Sequence, residues 1–145
     1  MNILFTLCGR AGSKGVKGKN ARDFLDVPLV WYSLANIALY MEKYAGEDDI
    51  KIVLNTDSEP LKDLVRRVKD VPVTVIHRDE SLAGDKVPKV AVILDSLNKA
   101  EEAFAQKFNM VVDLDITSPL RTVQDVKNAI DRKKQRNDVD TRLEN

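Results

Sequence analysis

Four cations, Arg10, Lys14, Lys17 and Lys19, are threaded through the stretch Gly9-Arg10-Ala11-Gly12-Ser13-Lys14-Gly15-Val16-Lys17-Gly18-Lys19-Asn20. Glycine adopts positive φ without steric cost, so a loop this rich in it lets backbone N–H groups converge on an anion. The guanidinium of Arg10 and the ammonium groups add forked donors and point charges to the same place. A string of phosphates suits such a loop, and a nucleoside triphosphate is its natural guest. The loop is not a P-loop, because Ser13 precedes Lys14 where Gly-Lys-Ser/Thr is required. Nor is it a dinucleotide fingerprint, since Gly9, Gly12, Gly15 and Gly18 recur at every third position. A solvated basic loop is the alternative; its place directly behind an opening apolar run argues for a site.

Two further stretches carry polar chemistry. In His77-Arg78-Asp79-Glu80-Ser81-Leu82-Ala83-Gly84-Asp85, Arg78 suits a base or a phosphate, or a surface ion pair with Asp79 or Glu80 of little energetic worth. His77 reads as a strand-end residue or a catalyst. In Asp113-Leu114-Asp115, strand alternation turns both carboxylates to one side. Two acids on one face of a buried strand are costly without a partner or a metal. Asp115, nearer the edge, is a candidate ligand for Mg²⁺ or for a substrate hydroxyl. The other possibility is an acid that accepts from amides of the next turn. Thr117-Ser118-Pro119-Leu120-Arg121-Thr122 then brings hydroxyls, a rigid turn and an arginine to a helix N-terminus, which favours a carboxylate or phosphate.

These loops need a scaffold. Short runs rich in Val, Ile and Leu at residues 3–8, 51–55, 73–76 and 110–115 read as strands buried on both faces. Helical periodicity fills the gaps. Pro28 opens a first helix with a stripe of Trp31, Leu34, Ile37, Ala38 and Met41, and Gly46 stops it. Ser58 caps a second through Leu61, Leu64, Val65 and Val68. Pro88 opens a third whose inward residues are Val92, Leu94, Leu97, Ala100 and Phe104. Thr122 starts a fourth, with Asp125 completing a variant capping box and Val123, Val126 and Ile130 as its buried face. Four βα units imply an α/β, Rossmann-like three-layer domain with a mostly parallel sheet. Ligands of such sheets bind beyond the carboxyl ends of the strands, where all these loops gather.

Composition narrows the class. The chain has 145 residues, 43% hydrophobic and 32% charged, with zero formal net charge. That is the make-up of a single globular domain and argues against binding long nucleic acid through phosphates. Cys8, the single cysteine, lies in an apolar strand and reads as a buried inert thiol. With no signal-peptide pattern and no apolar run of membrane-spanning length, a cytoplasmic enzyme is expected.

Together the three stretches resemble the acylneuraminate cytidylyltransferase family, the CMP-sialic acid synthetases. The resemblance rests on Arg10-x-Gly12-Ser13-Lys14-Gly15 with Lys19-Asn20, on Arg78 with Leu82-Ala83-Gly84-Asp85, and on Asp113-Leu114-Asp115-x-Thr117-Ser118-Pro119-Leu120-Arg121-Thr122. It runs from the first strand to about Ile130. It implies the fold of nucleotide-diphospho-sugar transferases and a reaction of CTP with a nine-carbon 2-keto sugar acid, giving the CMP-sugar and pyrophosphate with Mg²⁺ as cofactor. By the same resemblance, Arg10, Gly12, Ser13, Lys14 and Lys19 hold the triphosphate, and Arg10, Lys14 and Lys19 are catalytic. Asn20, Arg78 and Asp85 contact the nucleotide; Asp115, Thr117, Ser118 and Arg121 belong to the acceptor side, with Asp115 a metal ligand. Pseudaminic, legionaminic and 3-deoxy-octulosonic acids are neighbouring substrates.

Members of that family are longer. They add strands, a helical dimerisation segment and a late aspartate pair for metal, none with an evident counterpart after Ile130. The expectation is therefore a nucleotidyltransferase domain over residues 1–130 and a charged tail over 131–145 where the family protein is cut short, with weak turnover and without the homodimer segment. Asp138-Val139-Asp140 has the look of a metal pair but sits early and in charged sequence. Two rivals stand beside this reading: a noncatalytic nucleotide-binding module, and an NAD-type domain in which Asp57 touches a ribose.

Overall fold

The computed structural model describes residues 1–11, 22–84, 86–118 and 121–136, and the backbone of 142–144. Its framework is a sheet of five described strands: β1 (Asn2–Gly9), β4 (Asp49–Thr56), β5 (Val73–His77), β6 (Met110–Leu114) and β7 (Arg142–Glu144). Their order is β5-β4-β1-β6-β7, and every neighbouring pair is parallel. Helices α1 (Leu29–Tyr44), α2 (Glu59–Arg66), α3 (Lys89–Phe104) and α4 (Val123–Gln135) link the strands.

Alternation along β1 sorts the layers. Ile3, Phe5 and Leu7 face one way and join Leu34 and Ile37 of α1, Leu61 and Val65 of α2, and Val126 and Ile130 of α4. Leu4 faces the other way and packs with Val53, Ile76 and Val111 against Ile93 and Ala100 of α3. The sheet is thus sandwiched, as its doubly apolar strands require. These are the three layers and the parallel pairing of a Rossmann-like fold. Among the described residues no helix is long and apolar enough to cross a membrane.

The helix signals act as their chemistry dictates. Ser58 Oγ accepts from the Leu61 amide at 3.3 Å, and Thr122 and Asp125 form a complete capping box. Three elements depart from expectation. Leu94 of α3 is 54% exposed rather than inward, because the helix buries Val92, Ile93, Ser96 and Ala100 instead. A hairpin of β2 (Asp23–Phe24) and β3 (Val27–Pro28) precedes α1, turning through Leu25 and Asp26, both at positive φ. Part of the stretch read as a charged tail takes up regular structure: α4 runs to Gln135 with Lys133 buried, and β7 pairs with β6.

Strand order decides where a ligand fits. From β1 the chain moves outward through β4 to β5, then returns to the opposite side of β1 as β6. The reversal between β1 and β6 opens a crevice at their carboxyl ends.

Candidate functional site

A cleft of about 260 Å³ occupies that end of the sheet, lined by Cys8 and Gly9 at the end of β1, Arg10 just after it, Arg78 after β5, Lys89 of α3, and Asp115 and Thr117 after β6. Three strand-helix connections therefore converge on one place. Of the residues singled out in sequence, Arg10, Arg78, Asp115 and Thr117 are brought together there. Ser118 and Arg121 stand in the turn beside it. Gly12, Ser13, Lys14, Lys19, Asn20 and Asp85 lie outside the described residues, as do Asp138 and Asp140.

Arg78 is anchored from below. It is 5% exposed; its Nε donates to Asn55 Oδ1 at 3.2 Å and its Nη2 to the Asn55 carbonyl at 3.1 Å. Asn55, fully buried at the end of β4, in turn donates to Asp95 Oδ2 and Ser96 Oγ, both at 3.0 Å. The surface ion pair with Asp79 or Glu80 is not formed: Asp79 pairs with Lys99. Burial pulls the Arg78 pKa down from its usual value, against the nearby acids Asp57 and Asp95. Arginine remains charged through such a shift, so the cleft holds a fixed, preoriented cation.

The two aspartates of β6 divide their roles. Asp113 is fully buried on the α3 side, where Thr6 Oγ1 donates to its Oδ1 at 2.7 Å. Lys89 Nζ stands 2.7 Å from Oδ2, off the ideal hydrogen-bond direction, so charge more than a directed bond holds the pair. Burial lowers the Lys89 pKa, but the Asp113 charge and contact outweigh it and the net shift is upward. Asp115 is half-buried and accepts from the Thr117 amide at 3.0 Å and the Thr117 hydroxyl at 2.8 Å. Burial pushes its pKa up, the two Thr117 donors push it further down, and the result lies below the ordinary carboxylate range. Asp115 thus caps its own turn, the second of the two roles foreseen, and lines the cleft as well. It is a poor proton acceptor at neutral pH and a good ligand for a hydroxyl or a cation.

The turn after β6 is fixed by its neighbours. The Ser118 amide donates to the Asp115 carbonyl at 3.2 Å, and Arg121 Nη2 approaches the same carbonyl at 3.4 Å. Asn36 of α1 reaches across to the Arg121 carbonyl at 3.0 Å. After β4, Asp57 accepts from the Ala11 amide at 2.7 Å. It steadies the backbone at Ala11, just behind β1.

Cys8 lines the cleft, yet burial foremost and Asp113 next push its thiol up to about 12. His77 does not line the cleft; its Nδ1 lies 3.0 Å from Lys62 Nζ, which also meets Glu59 at 3.0 Å. An ammonium only donates, so that nitrogen is the acceptor.

Lys89, Asn55, Asp57 and Asn36 are the residues that sequence reasoning missed in these roles. One signal for Lys89 was present: a buried Asp113 demands a cation or a metal, and the helix opening behind Pro88 begins with a lysine.

A cytidylyltransferase family model matches residues 7–145. The chain belongs to the cytidylyltransferase family. It is 35% identical over 127 residues to the post-translational flagellin modification protein B of Campylobacter coli, covering 86% of this chain and 49% of that protein. It is 33% identical over 120 residues to the CMP-N,N'-diacetyllegionaminic acid synthase of Campylobacter jejuni, covering 81% of this chain and 46% of that one. This cytidylyltransferase chain therefore spans about half the length of the curated relatives it matches. Among solved structures, a CMP:2-keto-3-deoxy-manno-octonic acid synthetase complexed with CTP superposes with a TM-score of 0.70 at 15% identity, over 93% of this chain and 48% of that one. At that identity the likeness speaks to the fold alone.

Proposed function

We propose that this chain binds CTP at the β1/β6 crevice and serves the transfer of its CMP group to a 2-keto sugar acid of the nine-carbon, sialic-acid type. Legionaminic acid derivatives lead the candidates, because a relative of that printed activity matches 81% of this chain at 33% identity. The observation that carries the reading is the convergence of Arg10, Arg78 and Lys89 with the ionised Asp115 at one strand edge. Three cations suit a polyphosphate; the acid beside them suits a hydroxyl-bearing acceptor or a metal.

In the proposed reaction the anomeric hydroxyl oxygen of the sugar acid bonds to the α-phosphorus. The bond from that phosphorus to the bridging oxygen breaks, pyrophosphate departs, and the hydroxyl proton passes to solvent. Such transfers depend on positioning and on charge placed where charge develops. Arg78 is held by Asn55 to meet the nucleotide, and Arg10 stands at the mouth of the loop whose Lys14 and Lys19 would meet the leaving pyrophosphate. The lowered proton affinity of Asp115 makes it a hydroxyl-orienting group rather than a general base.

Mg²⁺ fits the donor type available. Asp115 offers an ionised carboxylate, and Mg²⁺ ordinarily takes only one or two protein carboxylates, with the rest of its shell from phosphates and water. When bound it would offset charge on the phosphates.

A pyrophosphate-release assay with CTP and a panel of acids (N-acetylneuraminic, N,N'-diacetyllegionaminic, pseudaminic and 3-deoxy-octulosonic) tests the reading. CTP-dependent release with a nine-carbon acid is expected. Release driven by UTP or GTP in preference to CTP would move the chain to another nucleotide class. A nucleotide-binding module, the rival reading, would bind CTP and yield no CMP-sugar with any acid.

A further inference from the structure

The Asp113–Lys89 pair is an expensive object for the floor of a cleft. Asp113 is fully buried, and Lys89 is 37% exposed with its ammonium 2.7 Å away. Removing two charges from water costs several kcal/mol per ion, and hydrophobic replacement of such a pair is often neutral or stabilising. Every neighbouring position in β6 is apolar and buried: Val111, Val112 and Leu114. Packing alone would thus be served by one more aliphatic residue at 113. The pair also does little to tie elements together that α3 does not already tie through Ile93 and Ala100.

What the pair does accomplish is placement. Lys89 is the first residue of α3, and its long side chain would ordinarily run into solvent. Asp113 draws the ammonium down to the sheet edge, where Lys89 joins Arg10, Arg78 and Asp115 in lining the cleft. A lysine ammonium has three donors, and one carboxylate oxygen does not exhaust them. Thr6 Oγ1 occupies the other Asp113 oxygen, which fixes the carboxylate and so fixes the lysine.

We propose that Lys89 is a further substrate-binding residue of the cleft, contacting an anionic oxygen of the reacting pair, with Asp113 as its positioning residue. This rests on the cytidylyltransferase reading above. That anionic oxygen belongs to the nucleotide's phosphates or to the carboxylate of the sugar acid; the two share one chemistry and separate by titration.

The test is calorimetric titration of the wild-type chain, Lys89→Met and Lys89→Met/Asp113→Asn, each with CTP and Mg²⁺, with cytidine, and with the free sugar acid. Lys89→Met alone strands a buried charge and can fail to fold. The double variant removes both charges while keeping an acceptor for Thr6, so it preserves the fold, as thermal melting checks. Loss of one charged hydrogen bond lowers affinity by about tenfold or more. A tenfold loss of CTP affinity in the double variant, with cytidine unchanged, assigns Lys89 to a phosphate. The same loss for the acid alone assigns it to the carboxylate. Wild-type affinity for CTP and acid in the folded double variant overturns the proposal and leaves the pair a structural feature. Failure of the wild-type chain to bind CTP at all is a different result: it overturns the cytidylyltransferase reading, and this inference with it.

Discussion

Asn55 is the residue on which the Arg78 side of the cleft turns. It receives Arg78 Nε and donates to Asp95 and Ser96 from a fully buried position. Asn55→Ala takes the acceptor from Arg78 Nε in the interior, while the residue 55 carbonyl still holds Nη2 and the Val92 carbonyl still holds the Ser96 hydroxyl. The expected cost is about 1–3 kcal/mol, that of one buried donor left unpaired. Urea unfolding measures it, and CTP affinity should fall with it, because Arg78 loses its orientation. At this scale the sequence was half readable. Arg78 and Asp115 stood out as charged residues at strand ends. Asn55 did not, because an asparagine closing an apolar strand looks like any strand-end polar residue until its partner on another element is known. Lys89 was hidden for the same reason: its partner Asp113 lies on another element, far along the chain.

Elements were the most legible level, since alternation of short β-branched runs with helical stripes allows few arrangements. Where a stripe is broad, the inward face was ambiguous: Val90, Val92, Ile93 and Leu94 crowd one turn of α3, and only two of the four are buried. The hairpin before α1 escaped notice because Leu25-Asp26 lacks the Asn-Gly or Asp-Gly signature of a two-residue turn with positive φ. The C-cap of α3 carries the same kind of mismatch. Ala105 sits there in the left-handed region at φ 51°, with its amide bonded to the Glu101 and Glu102 carbonyls. Glycine adopts that conformation without a Cβ penalty. Ala105→Gly should therefore raise stability by about 0.5–1 kcal/mol, the reverse of the usual loss for glycine in a helix interior. Thermal melting checks the sign, and CTP affinity should not change, because the residue is remote from the cleft.

For the whole molecule, the question is what holds the far side of the sheet while the cleft does its work. Asp48, just before β4, meets Lys134 of α4 at 2.6 Å and the Met1 ammonium at 3.2 Å. Burial would raise the Asp48 pKa, but the two cations outweigh it and the net shift is downward. A depressed folded pKa means that the ionised group contributes stability above its ordinary range, near pH 4, and that this is lost as pH falls through the lower folded value. Asp48→Asn should therefore cost about 1 kcal/mol at neutral pH. The gap to the wild-type chain should close on acidification below about pH 4, as urea midpoints across pH would show. A gap that widens on acidification would contradict this. The tie could not be read from sequence, where Lys134 was one charge among many in a polar C-terminal stretch. Nor could β7, whose short charged segment lacks the aliphatic run that marks the other parallel strands.

All these scales serve a single claim, that the crevice between β1 and β6 receives cytidine triphosphate. The direct measurement is competitive calorimetric titration of the chain with CTP, UTP, ATP and GTP in the presence of Mg²⁺. The expected result is saturable one-to-one binding of CTP in preference to the other three, abolished or sharply weakened by Arg78→Met. No binding of CTP, or equal affinity for all four that Arg78→Met leaves untouched, would contradict the account.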